Sequence, residues 1–335
     1  MREARPDQRA PEWQVWAALI VVYIVWGSTY LAIRVVVQTM PPLLSAGVRH
    51  VVAAAIIFAV LALTRRTAGL RLTRAEWLGS GLVGILLLLG GNGLVMLGER
   101  DVPSGLAALI IAVEPLMIVI LRRIFGERIA LGTIIGVVVG FAGVAVLIIP
   151  EGIGGEVKFL GMLMIVVAAL SWAIGSYFSK LVALPRDPLA STGAQMIVGG
   201  ASLLVVGLLV GEQNTFRVED FSVESLVSLG YLIVFGSIIA YTAYTWALQH
   251  APMSRVATYA YVNPVVAIAL GALVLSEPIH LTMLVGAAMI IVSVALVVRT
   301  ESGAPPPGAL DAAPMIARDH SGSDEQGQDS VSRPV

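Results

Sequence analysis

Two charged residues lie where water is scarce. Glu114 sits in "AVEPLMIVIL" and Arg49 in "LLSAGVRHVVAAAIIF". Opposite charges in such surroundings pair with each other, hold a polar solute, or pass a proton, because stranding either one in lipid costs at least about 2.5 kcal/mol. Glu114 follows Ser104 by ten residues and Arg49 follows Leu43 by six. At about 1.5 Å of helix rise per residue, they lie about 15 and 9 Å along their apolar runs. An Arg side chain is long enough to bridge that difference. The expectation is an Arg49–Glu114 pair, or a joint contact of both with a solute, with Glu114 as the candidate for a coupling proton.

Neutral and aromatic residues supply the rest of a solute cavity. Asn92 lies in "GGNGLVML", and Gln195 and Asn263 are further amides in apolar runs. The candidate aromatic lining is Trp26, Tyr30, Trp172, Tyr177, Tyr241, Tyr244 and Tyr259, which suits an aromatic, cationic or amphiphilic solute. Trp13, Trp16 and Trp77 stand at the ends of runs and read as interfacial anchors. Pro115 and Pro264 each delete a helical hydrogen bond and are read as hinges.

Other chemistries are disfavoured. With no cysteine there is no disulfide, thiolate nucleophile or thiolate metal site. The G-x-x-x-x-G-K-[ST] loop of ATP-driven machines is absent. The aspartates all fall outside the apolar runs, and the four histidines form no H-E-x-x-H. No enzyme, metal or cofactor is therefore expected. A net charge of −1 gives no reason to expect nucleic acid.

These residues must be positioned by elements of unusual composition. Soluble domains average about 45–50% apolar and about 25% charged residues. This chain has 57% and 13%, with a mean hydropathy of +0.88. A crossing helix needs about 20 mostly apolar residues. Ten stretches qualify, at 14–34, 43–63, 77–97, 104–122, 130–149, 159–180, 189–210, 225–248, 254–275 and 281–298. Alternate connections, beginning with the N-terminus, hold 16 of the 21 basic residues. The positive-inside bias then makes both termini cytoplasmic. Residues 1–13 read as a cytoplasmic tail, and 300–335 as a disordered cytoplasmic tail.

The chain also repeats itself. At an offset of 146, Trp26 meets Trp172, Arg34 meets Lys180, Ser45 meets Ser191 and Arg49 meets Gln195. At 149, Glu114-Pro115 meets Asn263-Pro264, and at 150 Glu127 meets Glu277. Five helices per copy is an odd number, so the second copy (159–299) enters the membrane opposite to the first (14–149). The expected fold is an all-α integral membrane protein of ten transmembrane helices in two inverted five-helix repeats. That architecture is characteristic of secondary transporters, with the solute site at the repeat seam. Gly132, Gly136 and Gly140 form a small-residue ridge for close helix packing, or a homodimer seam.

The stretches "WGSTYLAIR", "PPLLSAGVRH", "GNGLVMLGERDVPSGLAAL" and "TYAYVNPVVAIALGALVLSEPI" resemble the EamA family of the drug/metabolite transporter superfamily, and within it the YedA-like inner-membrane branch. The resemblance spans roughly 14–299. It implies ten helices, two EamA units, a central cavity, and alternating access for small organic solutes, usually in export. The expectation is a secondary transporter moving a small organic metabolite or drug-like solute out across the cytoplasmic membrane. Its partners would be that solute, the lipid bilayer, and a coupling proton or counter-substrate. The alternative is a passive channel or a non-transporting membrane interaction protein.

Overall fold

The computed structural model describes residues 11–64, 71–127, 129–154 and 158–302, and all regular structure among them is helical. The expected tails lie almost wholly outside these residues, as do Arg65, Arg66 and Arg128. In chain order the rods are α1 (Glu12–Thr39), α2 (Pro42–Leu63), α3 (Arg74–Gly98), α4 (Ser104–Ile124), α5 (Leu131–Gly154), α6 (Phe159–Phe178), α7 (Pro188–Leu209), α8 (Val223–His250), α9 (Tyr259–Leu275) and α10 (Leu281–Ser302). Seven are long and apolar enough to cross a membrane. The other three, α5, α9 and α10, contribute the shorter apolar stretches Leu131–Val146, Val262–Leu275 and Leu281–Ser293.

Local chemistry sets several of the starts. Thr73 and Glu76 form a reciprocal capping box ahead of α3. Pro42 and Pro188 occupy first-turn positions of α2 and α7, where a missing N–H costs nothing. Apolar side chains surround the rods rather than lining one stripe, which is the pattern of helices without water on either side. Ile20, Ile24, Ile56, Val138, Leu163, Val205 and Val234 point outward, exposed, from both halves. Trp13, Trp16 and Trp77 are exposed near rod starts, where an interfacial belt would place them.

Packing repeats across the two halves. The mates α2 and α7 lie against each other, as do α5 and α10. Contact between α1 and α9 is mirrored by α6 on α4, that of α3 on α6 by α8 on α1, and that of α3 on α7 by α8 on α2. Side-chain contacts sort the rod ends into two faces. Glu12, at the start of α1, meets Arg255, which precedes α9, at 3.7 Å. Lys158, at the start of α6, pairs with Asp101, which follows α3, at 2.8 Å. Arg34, toward the other end of α1, donates to the Glu99 and Arg100 carbonyls next to Asp101, so α1 and α6 begin at opposite ends of the bundle, called here the near face (Glu12) and the far face (Lys158).

The glycine ridge of α5 is occupied by the chain's own α10. Ser293 Oγ donates to the Gly136 carbonyl, and a Cβ on Gly140 would stand 2.5 Å from Ser293 Oγ. That use of the ridge is intramolecular, so it offers no dimer seam there.

The two prolines behave differently. Helix α4 is broken at Ala112–Val113, and Pro115 opens the segment that resumes at Glu114, where no helical N–H is required. Pro264 instead lies inside α9, which continues through it after a break at Ala257–Thr258. The prolines correspond between repeats, but the breaks do not. Another irregularity does correspond. A π-helical stretch, Ile85–Gly93, interrupts α3, and another, Leu232–Tyr241, interrupts α8, so their starts are 147 residues apart and their ends 148.

Candidate functional site

The repeat-mate tryptophans meet at the seam. Trp26 and Trp172 stand edge to face at 5.3 Å between ring centroids and 86° between planes. Trp26 also packs on Tyr244 at 4.8 Å and on Tyr259 at 5.4 Å. Their indole N–H groups are committed. Trp26 donates to the Gly236 carbonyl at 3.2 Å, and Trp172 to the Tyr244 hydroxyl at 3.2 Å. The mate rods α1 and α6 thereby seat their aromatic rings on α8 and α9.

A cavity of about 70 Å³ opens beside this cluster. Trp26, Tyr30, Arg49, Asn92, Trp172, Tyr241, Tyr259 and Asn263 line it, together with Thr29, His50 and Gly236. Such a volume holds water but is far below the about 300–1,000 Å³ of a drug-sized ligand pocket. A second cavity of about 230 Å³ lies toward the near face, lined by Lys180, Ser191, Gln195, Thr245 and Gln249 among others. The two meet at one contact. Tyr241, on the wall of the first, donates to Gln195 Oε1, on the wall of the second, at 2.7 Å.

Arg49 is buried, yet Glu114 is not its partner. Arg49 Nε donates to Ser237 Oγ at 2.8 Å, and Nη1 reaches Asn92 Oδ1 at 3.5 Å. The buried Glu114 carboxylate accepts from the Tyr259 hydroxyl instead. The expected direct pair is therefore absent. Its two members address the cavity separately, Arg49 from the wall and Glu114 from behind Tyr259. The physical reason is that neutral donors and acceptors on α3, α8 and α9 already engage each group. Joint contact of the two with a solute is untouched by this arrangement.

The remaining candidates divide. Tyr244 lies behind the wall, where its hydroxyl shares a 2.6 Å hydrogen bond with Ser176. The Asn263 amide nitrogen, oriented so that both ends are satisfied, donates to the carbonyls of Tyr259 and Tyr23 at 3.3 and 3.1 Å. It therefore ties α9 to α1 next to Pro264. Tyr177 is not on either cavity; it stacks on Phe125 at 5.0 Å near the end of α4. Periodicity alone could not place it, because α6 carries aromatic residues on more than one side.

Several groups were not legible as site residues. Ser237 stands between Arg49 Nε and His50 Nδ1, which it meets at 2.8 and 3.5 Å. Gly236 makes room for the guanidinium, since a Cβ there would lie 2.9 Å from Arg49 Nη2. Both lie in the α8 π-stretch, and Gly91 and Asn92 lie in its α3 counterpart. π-Bulges recur at functional sites, and the glycines in "GGNG" were the available signal. The basic mates Arg34 and Lys180 repeat one contact at opposite faces. Arg34 donates to the carbonyls of Glu99 and Arg100, and Lys180 to the carbonyl of Leu248.

Carboxylates join the repeats at the far face. Glu277, which follows α9, accepts from Ser104 N at 2.9 Å, Ser104 Oγ at 2.8 Å and Gly105 N at 3.3 Å at the start of α4. Glu212, which follows α7, accepts from Leu43 N at 3.1 Å and Leu44 N at 2.8 Å at the start of α2. Each satisfies orphan N–H groups at the positive end of a helix dipole. Just past α3, Glu99 is buried, and among the described residues neither of its oxygens has a hydrogen-bond partner. Burial, reinforced by Glu277 and opposed by Arg34, holds its carboxyl well above the usual carboxylate range.

Comparison with known proteins assigns the family. The model of the EamA-like transporter family matches twice, over residues 13–149 and 159–299. The chain belongs to the EamA-like transporter family. This EamA chain is 36% identical over 259 residues to the uncharacterized inner membrane transporter YedA of Escherichia coli (strain K12), covering 77% of the chain and 81% of YedA. It is 28% identical over 305 residues to the uncharacterized transporter YvbV of Bacillus subtilis (strain 168), covering 90% of the chain and 97% of YvbV. A solved structure described as "Crystal structure of protein" shares the EamA chain's fold at a TM-score of 0.62 and 18% identity, covering 88% of this chain and 99% of that one. The protein is thus an all-helical membrane protein related to transporters, with a double EamA match.

Proposed function

We propose that the chain is a secondary transporter of ten membrane crossings, in two inverted five-helix units. It moves a small organic solute out across the cytoplasmic membrane by alternating access. Both termini and the near face are cytoplasmic in this reading, as the basic residues require. The observation that carries it is a polar, aromatic-walled cavity on the seam between mate helices, to which both halves contribute.

Two closures then alternate. Toward the far face, the Glu277 and Glu212 caps hold α4 and α2 against the second half. Toward the near face, the Tyr241–Gln195 bond separates the central cavity from the larger one. Opening one while keeping the other exposes the site to one side at a time, and the small central volume has to grow when either opens. The α4 break before Pro115 and the α9 segment around Pro264 absorb the motion. Glu114, held by Tyr259 on the cavity wall, is the group placed to take a coupling proton.

Purified protein in proteoliposomes tests this by counterflow. Preloaded solute accelerates uptake of labelled solute through a carrier. A channel shows no such acceleration, and a non-transporting protein shows no flux.

A further inference from the structure

Among the described residues lining the central cavity, Arg49 is the one with a permanent charge. Its side chain is 3% exposed, and no carboxylate lies within ion-pair distance of it among the described residues. Nε and Nη1 engage the neutral Ser237 and Asn92, the latter at a long 3.5 Å. Nη2 has no hydrogen-bond partner among the described residues and sits where Gly236 offers only hydrogen. A guanidinium has five N–H donors in a planar fork that matches a carboxylate. Burying that cation without a counter-charge is costly, and Glu114 is engaged by Tyr259 rather than by Arg49.

The repeat mate shows what a closed polar position looks like. Gln195 accepts from Tyr241 at 2.7 Å and donates to Ser191 at 3.0 Å, so both ends of its amide are used. Arg49 has donors left over, and they face the cavity. Around it, Trp26, Trp172, Tyr241 and Tyr259 offer ring edges and faces to a flat apolar body.

We propose that the solute is an organic anion, an apolar or aromatic body bearing a carboxylate, and that Arg49 is the specificity-determining residue that receives the carboxylate. This rests on the transport reading above and narrows its substrate class.

Three probes with a common body separate the charges: phenylacetate, phenylacetamide and phenethylamine. Quenching of tryptophan emission in the purified full-length protein reports occupancy beside Trp26 and Trp172. Phenylacetate is expected to give saturable quenching, at least about tenfold tighter than the amide or the amine. Arg49→Gln should lose at least about tenfold in phenylacetate affinity, while Arg49→Lys retains part of it. Gel filtration and thermal melting of each variant establish that it is folded, and Ser237→Ala, which keeps the cation but loosens its anchor, should weaken binding less than Arg49→Gln. The proposal is overturned if phenylacetate does not saturate, if the amide or amine binds as tightly, or if folded Arg49→Gln binds phenylacetate like the parent. Counterflow with neutral or cationic solutes but never with carboxylates would sink the anion while leaving the transporter. The absence of counterflow with every charge class would sink the transporter itself.

Discussion

Helices α2 and α7 occupy equivalent places in the two halves, pack against each other, and carry Arg49 and Gln195 at the same repeat position. Both residues reach α8, but in opposite senses. Arg49 donates to Ser237 and keeps donors free toward the central cavity, whereas Gln195 accepts from Tyr241 and lines the near-face cavity. The duplicated scaffold is preserved in the tryptophan pair, the two π-stretches and the Arg34 and Lys180 contacts to carbonyls. Charge was not preserved. In the proposed mechanism one copy of the scaffold binds and the other gates, a division drawn from what each side chain leaves unsatisfied.

The tryptophan pair is the symmetric part of this comparison, and removing it has the largest expected effect. Trp26→Ala should destabilise the folded protein by about 3–5 kcal/mol, as for other buried aromatic truncations. Trp172 is half-buried, so Trp172→Ala should cost less. Melting in one detergent compares them directly, and equal costs would mean that the seam is more symmetric than burial implies.

Arg49 and Gln195 sharpen the asymmetric part. Gln195→Leu leaves the Tyr241 hydroxyl without its acceptor, at about 1–3 kcal/mol of stability. It should nevertheless keep phenylacetate affinity within a few-fold of the parent, in contrast to Arg49→Gln. Matching losses of affinity in both would erase the distinction between binder and gate.

The far-face caps come next. Glu277→Ala and Glu212→Ala each remove a helix cap contributed across the repeats, worth about 1 kcal/mol, which is about a fivefold shift toward a far-open form. The rate at which a single cysteine at the α4 start reacts with a polar thiol reagent measures that shift. No acceleration would show that the caps hold helices without gating them.

The smallest effect concerns Glu99. Its acidic form is favoured by folding, so the native state binds more protons than the unfolded chain once pH exceeds an ordinary carboxyl pKa. Stability should fall as pH rises above the ordinary carboxylate range. Glu99→Gln should flatten that slope; a slope unchanged in the variant would assign it to other groups.

Much of this arrangement was legible in the sequence because lipid leaves few alternatives for polar groups. Arg49, Asn92 and Asn263 stood out as polar positions in apolar runs, and the repeat offset linked Trp26 to Trp172 before any contact was known. Depth along a helix could be counted, but azimuth could not. Arg49 and Glu114 therefore seemed able to meet, although Ser237 and Tyr259 intervene. Tyr177 failed for the same reason, its ring turned to Phe125. The π-stretches were hidden because one extra residue per turn leaves no compositional mark beyond "GGNG". Glu99, Glu212 and Glu277 lie at rod ends, where acids are ordinary, and only tertiary contact shows that two of them cap helices of the other half.

The chain has no cysteine, so Thr29→Cys places one thiol on the central cavity wall. An impermeant thiol reagent, applied separately to each side of oriented vesicles, reads which side the cavity faces. The account predicts labelling from both sides, and a reciprocal change when Glu277→Ala is added: faster from the far face, slower from the near face. Labelling that rises from both faces together, or that never occurs from one of them, would contradict a seam that opens to one side at a time.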